Sequence, residues 1–140
     1  MRYQRAAKPL VLDGLEAARA FFAECFAESD PARECLWVAH IDADWNCVHL
    51  FRHEGDETGG TFPVRPIIAN AALHASAGIL LAHNHPSGDP TPSIEDRQLT
   101  DRLVAVGKLL GIRVLDHVII GDSRYVSFAD EGWLKESGES

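Results

Sequence analysis

The chain has 140 residues, of which 46% are hydrophobic and 24% charged, a composition typical of one globular domain that can bury its own core. Its 13 basic and 21 acidic residues give a net charge of −8, which disfavours a nucleic-acid partner because such proteins usually carry a basic face. No apolar run approaches the ~20 residues of a membrane-spanning helix, and no apolar signal segment follows the basic N-terminus, so we expect a cytoplasmic protein without a membrane partner.

The first half of the chain predicts a helix, a hairpin of two strands and a second helix. Asp13 and Glu16 have the spacing of a capping box, and apolar residues recur at helical spacing to about Glu28. Strands are predicted at 34–41 and 47–52, followed by a polar, glycine-rich loop at 53–60. Pro66 suits the first turn of the second helix, which is predicted to run to residue 75.

The second half predicts a strand, a long helix and two further strands. Residues 78–82 form a short apolar run typical of a buried central strand, and a loop with three prolines follows to residue 92. Ser93 begins the longest helix, which ends before Gly111; its predicted apolar stripe comprises Leu99, Leu103, Val106 and Leu110. With strands at 112–120 and 124–128, the order of elements predicts an α/β domain of two or three layers around a mixed sheet.

Two histidines and one aspartate predict a metal site. His83 and His85 follow the buried strand two residues apart, so in extended chain both imidazoles point to one face and can share a metal. Asp96 lies on the apolar stripe of the long helix, where a buried carboxylate requires a positive partner. A stiff loop, in which Gly88 permits a tight turn, holds the helix start near the strand end.

Two imidazoles and one carboxylate leave a fourth position open for water, which is the pattern of catalytic rather than structural zinc. Glu34, at the start of a strand, is our candidate for the general base, although spacing also leaves Glu54 and Glu57 open. A His-x-His pair by itself is more often an ordinary feature than a metal site. Ser93 and Asp96 also have the spacing of a capping-box variant, which is compatible with a metal site.

The segment HNHPSGDPTPSIED at 83–96 resembles the JAMM (MPN+) metalloprotease signature, and with the later LDHVIIG it looks like the bacterial RadC-like branch of the JAB/MPN family. The resemblance covers about residues 33–128 of a single domain spanning 1–140. It implies a three-layer, cytidine-deaminase-like fold with a mixed sheet between helices. It also implies zinc ligands at His83, His85 and Asp96, Glu34 as general base, and Ser93 as a hydrogen-bond donor to the water or oxyanion.

The resemblance implies a zinc metallopeptidase that acts on peptide bonds or on isopeptide bonds to ubiquitin-like proteins. One alternative is a catalytically idle MPN-type protein-binding module, which the complete ligand set disfavours. Another is a DNA-repair-associated RadC-like protein, which the acidic charge disfavours. The helix-hairpin-helix segment often found ahead of this domain is absent from the sequence.

The remaining polar and aromatic residues are expected to have structural roles. Asp116 and His117 are interpreted as a hydrogen-bonded pair or as support for the metal site. The three cysteines, without a Cys-x-x-Cys pair, suit buried thiols in a reducing compartment. The other histidines are predicted at the surface or with hydrogen-bond partners (His40, His49, His53 and His74), and the tryptophans are predicted to be packing residues (Trp37, Trp45 and Trp133).

Overall fold

The computed structural model describes residues 10–12, 14–54 and 62–134. The strands are β1 (Leu10–Val11), β2 (Cys35–Ile41), β3 (Asn46–Glu54), β4 (Gly78–Asn84), β5 (Arg113–Ile120) and β6 (Tyr125–Ser127). The helices are α1 (Leu15–Ala27), α2 (Val64–Leu73), α3 (Ile94–Leu110) and α4 (Phe128–Glu131). The predicted order of helices and strands is confirmed, and the structure adds the short elements β1 and α4.

The six strands form one mixed sheet in the order β1-β3-β2-β4-β5-β6. Only β4 and β5 pair in parallel, and the other four pairings are antiparallel. Every residue of β2 and β4 is buried, because these strands lie at the centre of the sheet and helices cover both of its faces. The predicted central strand is therefore confirmed.

Helices cover the sheet on both sides, so the fold has three layers as the resemblance implied. On one face Phe22 of α1 packs in a core with Trp37 and Leu80. On the other face Ile67 of α2 and Leu103 of α3 pack in a second core, whose sheet residues include Leu36, Val38 and Leu81. The metal-site residues predicted from sequence lie at one end of this second face.

The apolar stripe of α3 was predicted correctly in its first half and wrongly in its second. Leu99 and Leu103 are buried, but Leu110 is 53% exposed and Val106 is only partly buried. Gly107 faces inward instead, and its carbonyl accepts a hydrogen bond of 2.8 Å from the backbone N–H of Ile112. A Cβ at Gly107 would lie 2.3 Å from the carbonyl oxygen of Ile112, so the chain leaving α3 passes too close to its last turn for a side chain there.

Several element boundaries differ from the prediction by one or two residues. Strand β4 continues through Asn84, so His83 lies in the strand and the loop begins at His85. Helix α2 begins at Val64, so Pro66 lies in its first turn as predicted, but the helix ends at Leu73, two residues before the predicted end. The N-cap of α1 is Gly14, without a side-chain cap; Asp13 and most of the predicted loop at 53–60 lie outside the described residues.

The three cysteines are buried and free, as predicted. Burial, together with the neighbouring Cys47, raises the pKa of the Cys25 thiol to about 12. Burial also raises the pKa of the Cys47 thiol to about 11. Both are therefore protonated, poorly nucleophilic side chains of the core.

The prediction for His40 was wrong. This side chain is fully buried, and neither ring nitrogen has a hydrogen-bond partner among the described residues. Its ring lies 5.5 Å from that of His49 and 6.1 Å from that of His74. The reason is that His40 lies in the central strand β2 and is paired with His49 of β3, a burial that local composition does not reveal.

Replacing His40 by phenylalanine is expected to reduce the loss of stability in acid. Burial and the nearby His49 and His74 lower the pKa of His40 from 6.5 to about 3. Between these values only the unfolded chain takes up the proton, so the free energy of unfolding falls with decreasing pH by roughly 1.4 kcal/mol per pH unit. Urea denaturation at pH 7, 6 and 5 would show a shallower decrease for His40→Phe; parallel decreases would contradict this.

Among the described residues, no helix combines the length and the apolar character needed to cross a lipid bilayer.

Candidate metal centre

The three predicted metal ligands converge where β4 ends and α3 begins. The Nε2 atoms of His83 and His85 are 3.1 Å apart. The two carboxylate oxygens of Asp96 lie 3.1 Å from His83 Nε2 and 3.0 Å from His85 Nε2. Two nitrogens bonded at ~2.0–2.1 Å to one tetrahedral zinc are about 3.3 Å apart, so this donor set has the spacing that a single zinc ion requires.

Glu34 lies beside the two histidines. Its carboxylate and the ring nitrogens of His83 and His85 offer ligand atoms that are all within 4.8 Å of one another. The pairing of Leu36 with His83 across β2 and β4 brings the start of β2 to this end of the sheet. Of the other candidates for the general base, Glu54 is paired with Arg52 at 2.6 Å, and Glu57 lies outside the described residues.

A chain of hydrogen bonds determines which nitrogen of His83 carries its proton. Thr100 Oγ1 donates to the backbone carbonyl of Asp96 at 2.9 Å and lies 2.7 Å from His117 Nδ1. Both contacts are satisfied only when Nδ1–H of His117 donates to the hydroxyl. Burial lowers the pKa of His117 well below its ordinary value, so the ring is neutral and its Nε2 accepts from His83 Nδ1–H at 2.8 Å.

The same reasoning determines the tautomer of His85. Its Nδ1 is 2.8 Å from the backbone carbonyl of Asp89, which can only accept, so Nδ1 carries the proton. In the neutral rings the Nε2 atoms of His83 and His85 therefore both present lone pairs, which point toward each other and toward the Asp96 carboxylate. Three electron-pair donors within about 3 Å repel one another unless a cation lies among them.

The pKa values of these groups reflect this concentration of donors. Burial raises the pKa of the Asp96 carboxyl, but the facing imidazoles of His83 and His85 outweigh that effect and hold it far below its ordinary value. The hydrogen bond with Asp96 raises the pKa of His85 above 6.5. A proton on His85 can supply the positive charge, and a metal ion bound here would have to displace it.

Replacing Thr100 by valine is expected to weaken zinc binding about 10-fold, the lower end of the range for partners of ligand histidines. Valine has nearly the same shape but leaves Nδ1–H of His117 without its acceptor in a buried site, so His83 loses its preferred tautomer. Isothermal titration calorimetry with a competing chelator would measure the change. An affinity equal to that of the unchanged protein would contradict the assigned hydrogen-bond chain.

Ser93 is the N-cap of α3 and forms a reciprocal capping box with Asp96. Its Oγ accepts from the N–H of Asp96 at 3.0 Å, and its N–H donates to Asp96 Oδ2 at 2.8 Å. The capping interpretation is therefore confirmed. Oγ only accepts in this bond, so the capping box does not use the hydroxyl proton of Ser93. The capping box also holds the carboxylate of Asp96 in the orientation that faces the histidines.

The loop after His85 is held against the turn between β5 and β6. Gly88 has a φ of 89°, as its predicted role in a tight turn requires, and its carbonyl accepts from the N–H of Asp122 at 3.0 Å. A Cβ at Gly121 would lie 2.3 Å from that same carbonyl oxygen. The close approach of two glycine backbones therefore fixes the loop that carries His85 and the carbonyl of Asp89.

Asp116 and His117 support the structure from opposite faces of β5. Asp116, buried at 1% exposure, accepts hydrogen bonds from the N–H groups of His117 and Ala129 and from the hydroxyl of Ser127. His117 belongs to the hydrogen-bond chain behind His83. The structural alternative of the sequence interpretation is confirmed, because His117 and Asp116 are hydrogen-bonded to each other. That His117 supports a metal ligand stays a prediction.

Sequence reasoning missed Thr100 and Asn84. Thr100 lies one helical turn after Asp96, and this spacing on a buried face was the available signal. Asn84 lies between the two histidines. Which neighbouring strand its side chain reaches is decided by the pairing of strands in the sheet, and the spacing of residues along the sequence does not show that pairing. The tryptophans pack as predicted, with Trp37 in the core and Trp133 against Phe128.

Comparison with known proteins agrees with the resemblance drawn from the sequence. The sequence profile of the RadC-like JAB domain family matches residues 12–133. The UPF0758 protein of Methanosarcina mazei is 56% identical over 71 residues, which are 51% of this chain and 31% of that protein. UPF0758 proteins of Syntrophotalea carbinolica and Pelobacter propionicus are 52% and 51% identical over 81 and 106 residues.

These two matches cover 58% and 75% of this chain, and 36% and 46% of the respective relatives. The chain therefore spans between about a third and a half of the length of the curated relatives it matches.

Proposed function

The chain belongs to the RadC-like JAB domain family, and we propose that it is a zinc-dependent hydrolase that cleaves peptide or isopeptide bonds. One observation carries this proposal: the lone pairs of two imidazoles and a buried carboxylate converge within hydrogen-bonding distance of one another. Neither a core nor a protein-binding surface requires such an arrangement, whereas a divalent cation at that point would neutralise it.

The proposed ligands are His83, His85 and Asp96, which leave a further position for water and substrate. Zinc, when bound, supplies a Lewis acid that acidifies a water molecule and polarises the scissile carbonyl. The hydrogen bonds of the ligands to His117, Asp89 and Ser93 keep the donor atoms in place throughout.

The protein's own groups handle the proton and the developing charge. Glu34 accepts the proton of the attacking water and returns it to the leaving amine, the role of a general base and then a general acid. The hydroxyl of Ser93, whose proton is not used in the capping box, donates to the oxygen that becomes negatively charged.

The test is a peptide-library digestion with purified protein loaded with one equivalent of zinc. We expect cleavage products by mass spectrometry, their loss after treatment with a chelator, and their return when zinc is added back. A ubiquitin-like fusion with an isopeptide bond, assayed in parallel, would separate the two bond types. Zinc retained with no product from either substrate would favour the idle binding module over the hydrolase.

A further inference from the structure

The side chain of Asn84 connects β4 to the segment that carries Glu34. Its Oδ1 accepts a hydrogen bond of 2.9 Å from the backbone N–H of Cys35, and its Nδ2 donates one of 2.9 Å to the backbone carbonyl of Arg33. The side chain is only 8% exposed; its hydrogen bond with Cys35 is buried, and its hydrogen bond with Arg33 is partly buried. Asn84 is therefore hydrogen-bonded to the backbone immediately before and immediately after Glu34.

These contacts occur where the regular sheet pairing stops. The last paired residues of β2 and β4 are Leu36 and His83, and Cys35 is the first residue of β2. Beyond this point the amide of Asn84 replaces the missing backbone ladder, since it offers one donor and one acceptor as a peptide group does. The sheet is thus extended by one side chain toward the metal centre.

The carbonyl of Arg33 and the N–H of Cys35, which Asn84 binds, belong to the two peptide planes on either side of the Glu34 Cα atom. Because the orientations of these planes set φ and ψ of Glu34, they also set the direction of its Cα–Cβ bond. A carboxylate that must reach a water molecule within about 3 Å depends strongly on that direction. Aspartate, leucine or serine at position 84 cannot make both hydrogen bonds.

We propose that Asn84 is a positioning residue, whose side-chain amide aims the carboxylate of Glu34 at the metal centre. The catalytic part of this inference rests on the proposed function, and the structural part does not. Asn84 contacts neither metal nor substrate in this role. It couples the strand that carries His83 to the segment that carries Glu34, so that ligands and base keep a constant spacing.

The test compares Asn84→Leu and Asn84→Asp with the unchanged protein by amide hydrogen exchange. Leucine removes both hydrogen bonds, so exchange at the N–H of Cys35 is expected to rise at least 10-fold while that of Leu36 in the ladder stays protected. Aspartate keeps the acceptor for Cys35 but places an oxygen against the carbonyl of Arg33, so a smaller rise is expected. Unchanged exchange at Cys35 in Asn84→Leu would overturn the proposal.

A second measurement reports the position of the carboxylate without turnover. In protein loaded with cobalt(II) and labelled with ¹³C-glutamate, the paramagnetic shift of the Glu34 carboxyl depends on its position relative to the metal. We expect that shift to change in Asn84→Leu, with the cobalt affinity within about threefold of the unchanged protein. An identical paramagnetic shift would also overturn the proposal.

Asn46→Asp is the matched control, because Asn46 also makes a side-chain hydrogen bond at a turn but lies in the β2–β3 hairpin. It should leave both Cys35 exchange and the Glu34 shift unchanged. If a peptide substrate is cleaved, Asn84→Leu should lower kcat about 10-fold or more with little change in KM. A protein that binds no cobalt would contradict the proposed function, and exchange at Cys35 would then still decide whether Asn84 holds the segment.

Discussion

Replacing Asp96 by alanine is expected to reduce zinc affinity by at least about 100-fold. This is the top of the range for residues that only hydrogen-bond to a metal ligand, and the loss of a ligand itself should cost at least as much. Asp96 supplies the negative charge of the site and faces both imidazoles at 3.1 and 3.0 Å. Its loss leaves only two neutral nitrogens of the proposed ligand set, too few and too weakly charged to retain zinc against a chelator. Competition with a chromogenic chelator at pH 7.5 measures the change.

Two control variants separate the charge from the fold. Asp96→Ala also removes the acceptor for the N–H of Ser93, so a stability loss of about 1 kcal/mol is expected from the broken cap. Asp96→Asn keeps an acceptor for this bond and should retain more of the stability while still binding zinc poorly. Asp101→Ala, at an exposed position of the same helix, should change neither. Wild-type zinc affinity in Asp96→Ala would refute the ligand assignment.

Replacing Glu34 by glutamine is expected to leave zinc bound and to lower kcat by about 10²- to 10⁴-fold, the contribution usual for general acid–base catalysis. Glutamine has the same size, so the neighbouring backbone contacts with Asn84 persist. It cannot accept the proton of the attacking water. Zinc content by elemental analysis and initial rates on a cleaved peptide measure the two effects in the same preparations.

Glu54→Gln is the matched control for this prediction. Glu54 lies opposite Cys35 across β2 and β3 but is engaged with Arg52, and the sequence alone left it open as an alternative base. Its replacement should leave kcat within about twofold. A Glu34→Gln protein with undiminished turnover, or a Glu54→Gln protein without any, would reassign the base.

The sequence by itself determined the features that depend on neighbours along the chain. The spacing of His83 and His85, and of Asp96 relative to Leu99 and Leu103, follows from the periods of strands and helices. From these periods alone, the two histidines of the strand and the aspartate of the helix are predicted to lie on surfaces that face each other. The long HNHPSGDPTPSIED motif then pointed to the family and to the three-layer fold, since its spacing is specific.

Only the tertiary structure decided the features that depend on how distant segments meet. Which glutamate lies beside the histidines follows from the pairing of β2 with β4, and the burial of His40 follows from the same central strand. The exposed Leu110 follows from the chain returning against Gly107. The hydrogen bonds of Thr100 and Asn84 join segments that are 17 and 49 residues apart in sequence. Local periodicity predicts which face a side chain occupies, but the partner on that face is chosen by packing across the whole domain.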